Sequence, residues 1–147
     1  MIRQWRRVHA PLIRVASFNV LADVADVSTH GFKDVAPELL VWSTRGSALC
    51  KQLCDIDADL VALIECTHMD DTFRAHFEQN GFATLFVEKD PNNGRGAVDG
   101  ICVAFRKTVF ELLDHRLSVK TETAPVAAIV LLQHIATGRA IQGCCLC

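Results

Sequence analysis

The chain has 147 residues, half of them hydrophobic (50%), 22% charged, with a formal net charge of −2 at pH 7 and a mean hydropathy of +0.23. That size bounds it to one domain or a large part of one, with apolar material for a sizeable core. The near-neutral charge excludes a global basic field for nucleic acid, and no apolar run nears the ~18 residues of a membrane span.

The first thirteen positions carry Arg3, Arg6 and Arg7 and no acid. They read either as a basic N-terminal arm or as a short targeting segment. A cytoplasmic or nuclear location is expected for the first, a mitochondrial one for the second. No apolar h-region of a secretory signal is visible, so the seven cysteines are expected as free thiols, mostly buried. Cys144, Cys145 and Cys147 cluster, but their spacing is not that of a zinc knuckle.

Residues 14–21, RVASFNVL, form an expected β-strand anchored by Val15, Phe18 and Val20. A loop is expected over 22–36. Residues 37–57 read as a helix with Pro37 at a first helical position and Gly46 as the weak point that would split it. ADLVALIEC (58–66) is the continuous apolar run of a strand buried on both faces, closed by Glu65. Residues 67–81 read as a second helix, with Thr67 and Asp70 as a capping-box-like start and Gly81 as its stop. FATLFVE (82–88) alternates as a strand, and 89–97 is a turn-rich loop holding Lys89 and Arg95.

From Val98 the pattern holds strands only: 98–106, 110–119, 125–135 and 139–147, with a tight hairpin signal at 136–139. The order is β-α-β-α-β followed by a meander, an α/β class. The last apolar strand has no turn or polar tail after Cys147, which leads to the expectation of an incomplete domain.

Two polar residues stand where a core strand needs none. Asn19 lies late in the first strand, and Glu65 ends the second, where an unpaired carboxylate is expensive. Strand ends of α/β sheets are where ligands bind. If the two strands are neighbours, a carboxylate and an amide meet as a hard oxygen pair suited to Mg²⁺ and a phosphate. The spacing equally allows Glu65 to cap the following helix and Asn19 to brace a turn.

A resemblance bears on that choice. Ser17-Phe18-Asn19, Leu21-Ala22-Asp23, then Leu40, Trp42 and Arg45, then Asp57-Ala58-Asp59-Leu60 with Glu65, and last Asp99-Gly100, stand in an order and spacing that resemble the endonuclease/exonuclease/phosphatase superfamily. The branch they are most similar to is that of the carbon-catabolite-repression-type deadenylases and nocturnin. The resemblance runs from Arg14 to Cys147 and implies the N-terminal half of a four-layer α/β sandwich. It implies that Glu65 ligates a catalytic Mg²⁺ (or Mn²⁺), with Asn19 orienting that site. It also implies that Asp99 borders the site, and Lys89 and Arg95 become candidate phosphate contacts.

Departures accompany it. Ile64 stands where the family has glutamine, and the family's later T-H-L, Asp-x-Asn and Asp-His motifs have no counterpart; His115 and His134 fall before them, and His134 reads as a core or edge residue. The implied reaction is metal-assisted attack of water on an RNA 3′ end or another nucleotide phosphate ester. The expectation is an enzyme by descent that is inactive as this chain alone. The other expectation is a non-catalytic module that uses an exposed apolar sheet face to bind a partner or a second copy.

Overall fold

The computed structural model describes residues 12–23, 32–89, 99–118 and 126–146. Arg95, and all of the N-terminal arm before Leu12, lie outside the described residues. The first expected strand forms as β1 (Val15–Asn19). Pro37 takes the first position of α1 (Pro37–Leu40), but that helix lasts one turn. The chain then goes extended at Val41 (φ −65, ψ 132) and restarts as α2 (Trp42–Ile56). The break expected at Gly46 therefore falls at Val41. Gly46 is instead buried within α2, where an added Cβ would meet the Trp42 indole at 3.0 Å. Its missing side chain makes room for the ring rather than weakening the helix.

β2 (Leu60–Ile64) follows. The second helical stretch opens as a wide π-type turn (Met69–Phe73) before α3 (Arg74–Gln79). The Phe73 N–H donates to the His68 carbonyl at 3.1 Å, five residues back, which sets the wide pitch. The expected capping box does not form. Thr67 Oγ1 accepts instead from the Asp23 N–H (3.2 Å), and Asp70 binds Arg74 at 2.7 Å. Gly81, at φ +80, ends the helical stretch as expected.

The remaining strands match their sequence signals: β3 (Phe82–Glu88), β4 (Gly100–Arg106), β5 (Phe110–Ser118), β6 (Ala127–His134) and β7 (Ala140–Leu146). They form a four-stranded sheet ordered β1-β2-β4-β3 and a three-stranded sheet ordered β5-β6-β7. β1 runs parallel to β2, and every other pairing is antiparallel.

β2 is apolar throughout because both its faces are covered. Val61 and Leu63 face α2 and α3 in a core with Phe73, Phe77, Cys66 and Cys102. Leu60 and its neighbours Ile101, Val103 and Phe105 face the second sheet, meeting Phe110, Ala128, Val130 and Leu132. His134, 5% exposed, is part of this interior and bonds Thr137.

The half-sandwich is thus three layers: helices, mixed sheet, antiparallel sheet. The sequence reading expected half of a four-layer sandwich with an exposed apolar sheet face. The meander is long enough to build a second sheet, and the alternating residues of β6 cover that face. What stays open, among the described residues, is the outer face of the second sheet, where Ile129 and Leu131 are only half-buried, and a flank between the sheets. There Val15, 65% exposed, and Ser17 on β1 stand opposite Gly143 and Cys144 on β7. Of the cysteines, Cys66 and Cys102 are buried free thiols and Cys145 is buried, whereas Cys54 and Cys144 are exposed, contrary to the expectation of mostly buried thiols for these two. Among the described residues, no helix is long and apolar enough to cross a membrane.

Candidate functional site

The parallel register places Asn19 beside Ile64, so the carboxyl ends of β1 and β2 coincide. β3 also ends at this edge and β4 begins there, with Glu88 opposite Gly100 and a two-way backbone bond between Cys66 and Gly100 (2.9 and 3.1 Å). Asn19, Glu65, Asp99 and Lys89 therefore all stand at one end of the mixed sheet. Four of the five residues singled out in the sequence are brought to one edge; the fifth, Arg95, lies outside the described residues.

The chain turns sharply after both parallel strands. Leu21 (φ 58) and Glu65 (φ 59) are left-handed, a conformation that non-glycine residues adopt at a cost. The Leu21 N–H donates to Asn19 Oδ1 at 2.9 Å, and the Ala22 N–H donates to Glu65 Oε2 at 3.3 Å. Asn19 thus braces its turn as one of the two readings expected, whereas Glu65 accepts from Ala22 across the strand ends and does not cap the following helix, whose start has no side-chain cap. Bracing does not consume their oxygen chemistry. Asn19 is exposed, Glu65 is half-buried, and the long bond from Ala22 is the carboxylate's one described hydrogen bond.

That pair fits a hard cation in kind. Mg²⁺ takes one or two protein carboxylates and fills its other positions with water and substrate phosphate. Among the described residues, no three His, Cys, Asp or Glu side chains gather as a metal-holding group. Asp99, 4% exposed, pairs with Lys89 at 2.7 Å, and the Lys89 N–H also donates to the Asp99 carbonyl at 2.8 Å. The ammonium is therefore held at the rim by a buried carboxylate.

A second set of polar residues supports this edge, and the sequence reading gave none of them a role. Arg45 reaches from α2 to the carbonyls of Val20 (3.0 Å) and Leu21 (2.9 Å) and to Asp23 (3.4 Å). His68 stacks on Trp42 with ring centroids 4.0 Å apart. Its Nδ1 lies 2.8 Å from Asp71 and its Nε2 3.0 Å from Asp23. Only a ring protonated at both nitrogens can donate to both carboxylates. The hydrogen bond from His68 holds the Asp71 carboxyl below its ordinary range. Behind them, burial pushes the Cys66 thiol up to about 12. The available sequence signal was Trp42 and Arg45, three apart on one helix face and therefore able to act on the same neighbour.

No protein-family model matches the chain. Nocturnin of Xenopus laevis is 29% identical over 138 residues, 86% of this chain and 35% of that protein. The catalytic domain of human nocturnin, solved with a bound sulfate anion, superposes with a TM-score of 0.69 at 24% identity. That match covers 90% of this chain and 48% of the other. ANGEL2, described as a 2′,3′-cyclic phosphatase and solved with adenosine-2′,3′-vanadate, superposes with a TM-score of 0.78 at 20% identity, over 91% and 40% of the two chains. The chain spans about a third of the length of the nocturnins it matches and about half of the human catalytic domain. In sequence the chain is thus similar to the nocturnins, and it shares half of the fold of these structures, among them one described as an endonuclease/exonuclease/phosphatase.

Proposed function

We propose that this chain forms one wall of a divalent-cation-assisted phosphate-ester hydrolase of the nocturnin and deadenylase kind. Its substrate class is an RNA 3′ end or another nucleotide phosphate ester. The observation that carries the reading is the meeting of Asn19 and Glu65 at the coincident ends of two parallel strands. The likeness to nocturnin and to a cyclic phosphatase supports the substrate class.

In this reading Glu65 and Asn19 hold Mg²⁺ or Mn²⁺ through oxygen atoms. When bound, the cation supplies charge stabilisation at the phosphate. Lys89, steadied by Asp99, contributes a fixed positive charge for the phosphate oxygens; Arg95, which lies outside the described residues, is kept as a further candidate contact on the resemblance alone. Neither Asn19 nor Glu65 suffices to activate water and protonate a leaving group as well. Those tasks fall to the histidine and aspartate motifs that the relatives' second half carries, so the chain alone is slow or inactive.

The test has two parts. Mn²⁺ binding by the chain is compared with that of Glu65→Gln, and hydrolysis of oligoadenylate and of 2′,3′-cyclic AMP is measured with and without a separately supplied second half of the nocturnin domain. The substitution is expected to weaken Mn²⁺ binding at least about tenfold. It should cut reconstituted hydrolysis roughly a hundredfold or more. Equal binding and equal rates in Glu65→Gln would remove Glu65 from the site.

A further inference from the structure

We propose that Arg45 is the positioning residue of this edge: it fixes both Asn19 and Glu65 by gripping the two peptide planes that those side chains bind. The significance of the grip rests on the functional reading above, but its existence does not.

The geometry is specific to two consecutive peptide units. In the first, the Val20 carbonyl accepts from Arg45 Nη1 (3.0 Å) while the Leu21 N–H donates to Asn19 Oδ1 (2.9 Å). In the second, the Leu21 carbonyl accepts from the same Nη1 (2.9 Å) while the Ala22 N–H donates to Glu65 Oε2 (3.3 Å). A peptide unit is planar, so its carbonyl and its N–H move together. Rotation of either plane breaks the guanidinium bond and the side-chain bond at once. A cation at the carbonyl end also polarises the N–H at the other end, strengthening its donation to the carboxamide and the carboxylate.

Arg45 is itself held. Its side chain is 12% exposed, Nε donates to the Leu40 carbonyl (3.0 Å), Nη2 reaches Asp23, and the guanidinium lies 5.3 Å from the Trp42 ring centroid. A planar fork with fixed donors suits this task, whereas a lysine is a single flexible point charge. The left-handed Leu21 needs such a partner, because its backbone conformation does not persist without surrounding bonds.

The test uses the ¹⁵N-labelled 147-residue chain and its Arg45→Lys variant. Amide hydrogen exchange at Leu21 and Ala22 is expected to rise at least about tenfold in the variant, with Leu63 and Cys102 unchanged. Glu65→Gln should move the Ala22 amide resonance in the parent chain but leave it in place in the Arg45→Lys background. An Ala22 response of equal size in both backgrounds, or unchanged protection at both amides, would overturn the proposal. A measurement on the unsubstituted chain guards against a variant that does not fold. The Arg45 guanidinium protons should give separate, slowly exchanging signals, and a freely rotating, rapidly exchanging guanidinium would overturn the grip directly. None of these readouts depends on hydrolysis or on metal, so Mn²⁺ binding and reconstituted rates unchanged by Glu65→Gln, together with a coupled Ala22 amide, would sink the functional reading while supporting this one.

Discussion

Replacing Gly100 by alanine tests how tightly the strand ends under the site are packed. Gly100 opens β4 opposite Glu88 of β3 and exchanges two backbone hydrogen bonds with Cys66 at the end of β2. A Cβ built there would stand 2.3 Å from the Val87 carbonyl oxygen and 2.7 Å from two ring atoms of Phe86, inside the 3.0 Å that real Cβ contacts essentially never breach. The Phe86 ring can turn away. The Val87 carbonyl cannot, because the β3–β4 ladder fixes it. The strands must separate by something near an ångström, an overpacking cost of about 1–3 kcal/mol. Distortion of the two bonds to Cys66 adds about 0.5 kcal/mol each. The expected loss is therefore about 2–4 kcal/mol. For a chain of this size that lowers Tm by roughly 5–15 °C. Thermal unfolding followed by circular dichroism reads it. A drop under about 2 °C would mean the ladder yields at no cost, and the argument from close approach would fail.

Two further outcomes follow from the core. Burial holds the Cys66 thiol at about 12 against an ordinary 9.0, and burial pushes Cys102 up in the same direction. Below about pH 9 both states keep the proton and the thiol contributes no pH dependence. Above it the unfolded chain ionises while the folded chain does not, so stability falls by ~1.4 kcal/mol per pH unit for this thiol, or about 4 kcal/mol across the window. Urea unfolding from about pH 8 to about pH 10.5 should show this slope, and Cys66→Ala should reduce it by that thiol's share while Cys102 keeps its own; an identical slope in the variant would refute the assignment. Phe73, 0% exposed and edge-on to Trp42 at 5.8 Å, anchors the helix-side core. Phe73→Ala should cost about 3–5 kcal/mol in urea unfolding, and a cost below about 1 kcal/mol would show that the core refills the space.

Much of this arrangement could be read from the residues. Strand positions followed from runs whose apolar character reflects burial on both faces (Leu60–Ile64) or at every second residue (Ala127–His134), and in each the buried face met a partner. Asn19 and Glu65 were legible because a polar residue ending an apolar strand needs a reason. What escaped the reading were effects that depend on long-range partners. The helix break moved to Val41 because Trp42 lies across Gly46, and no local propensity encodes that packing. Thr67 left its expected cap to meet Asp23, a residue 44 positions away. His68 carried no signal of its own, and Arg45 only its place in the motif beside Trp42, since their partners are backbone carbonyls and carboxylates brought in by the β1–β2 pairing. The second sheet was visible as strands, but which face it would cover depended on how the meander folds back.

The two left-handed residues at the strand ends have a consequence for any attempt to improve this protein. Leu21 and Glu65 sit on backbone that glycine adopts freely and that other residues hold at a cost of order 1 kcal/mol each. A glycine at either position would relieve that cost; at 65 it would delete the bracing carboxylate, and at 21 it would free the backbone to leave the conformation that Asn19 braces. Selection for thermal stability alone would thus erode the very rim that orders Asn19 and the carboxylate. At these two positions robustness and readiness for chemistry are opposed, and a library scored on melting temperature would enrich for molecules with a looser edge.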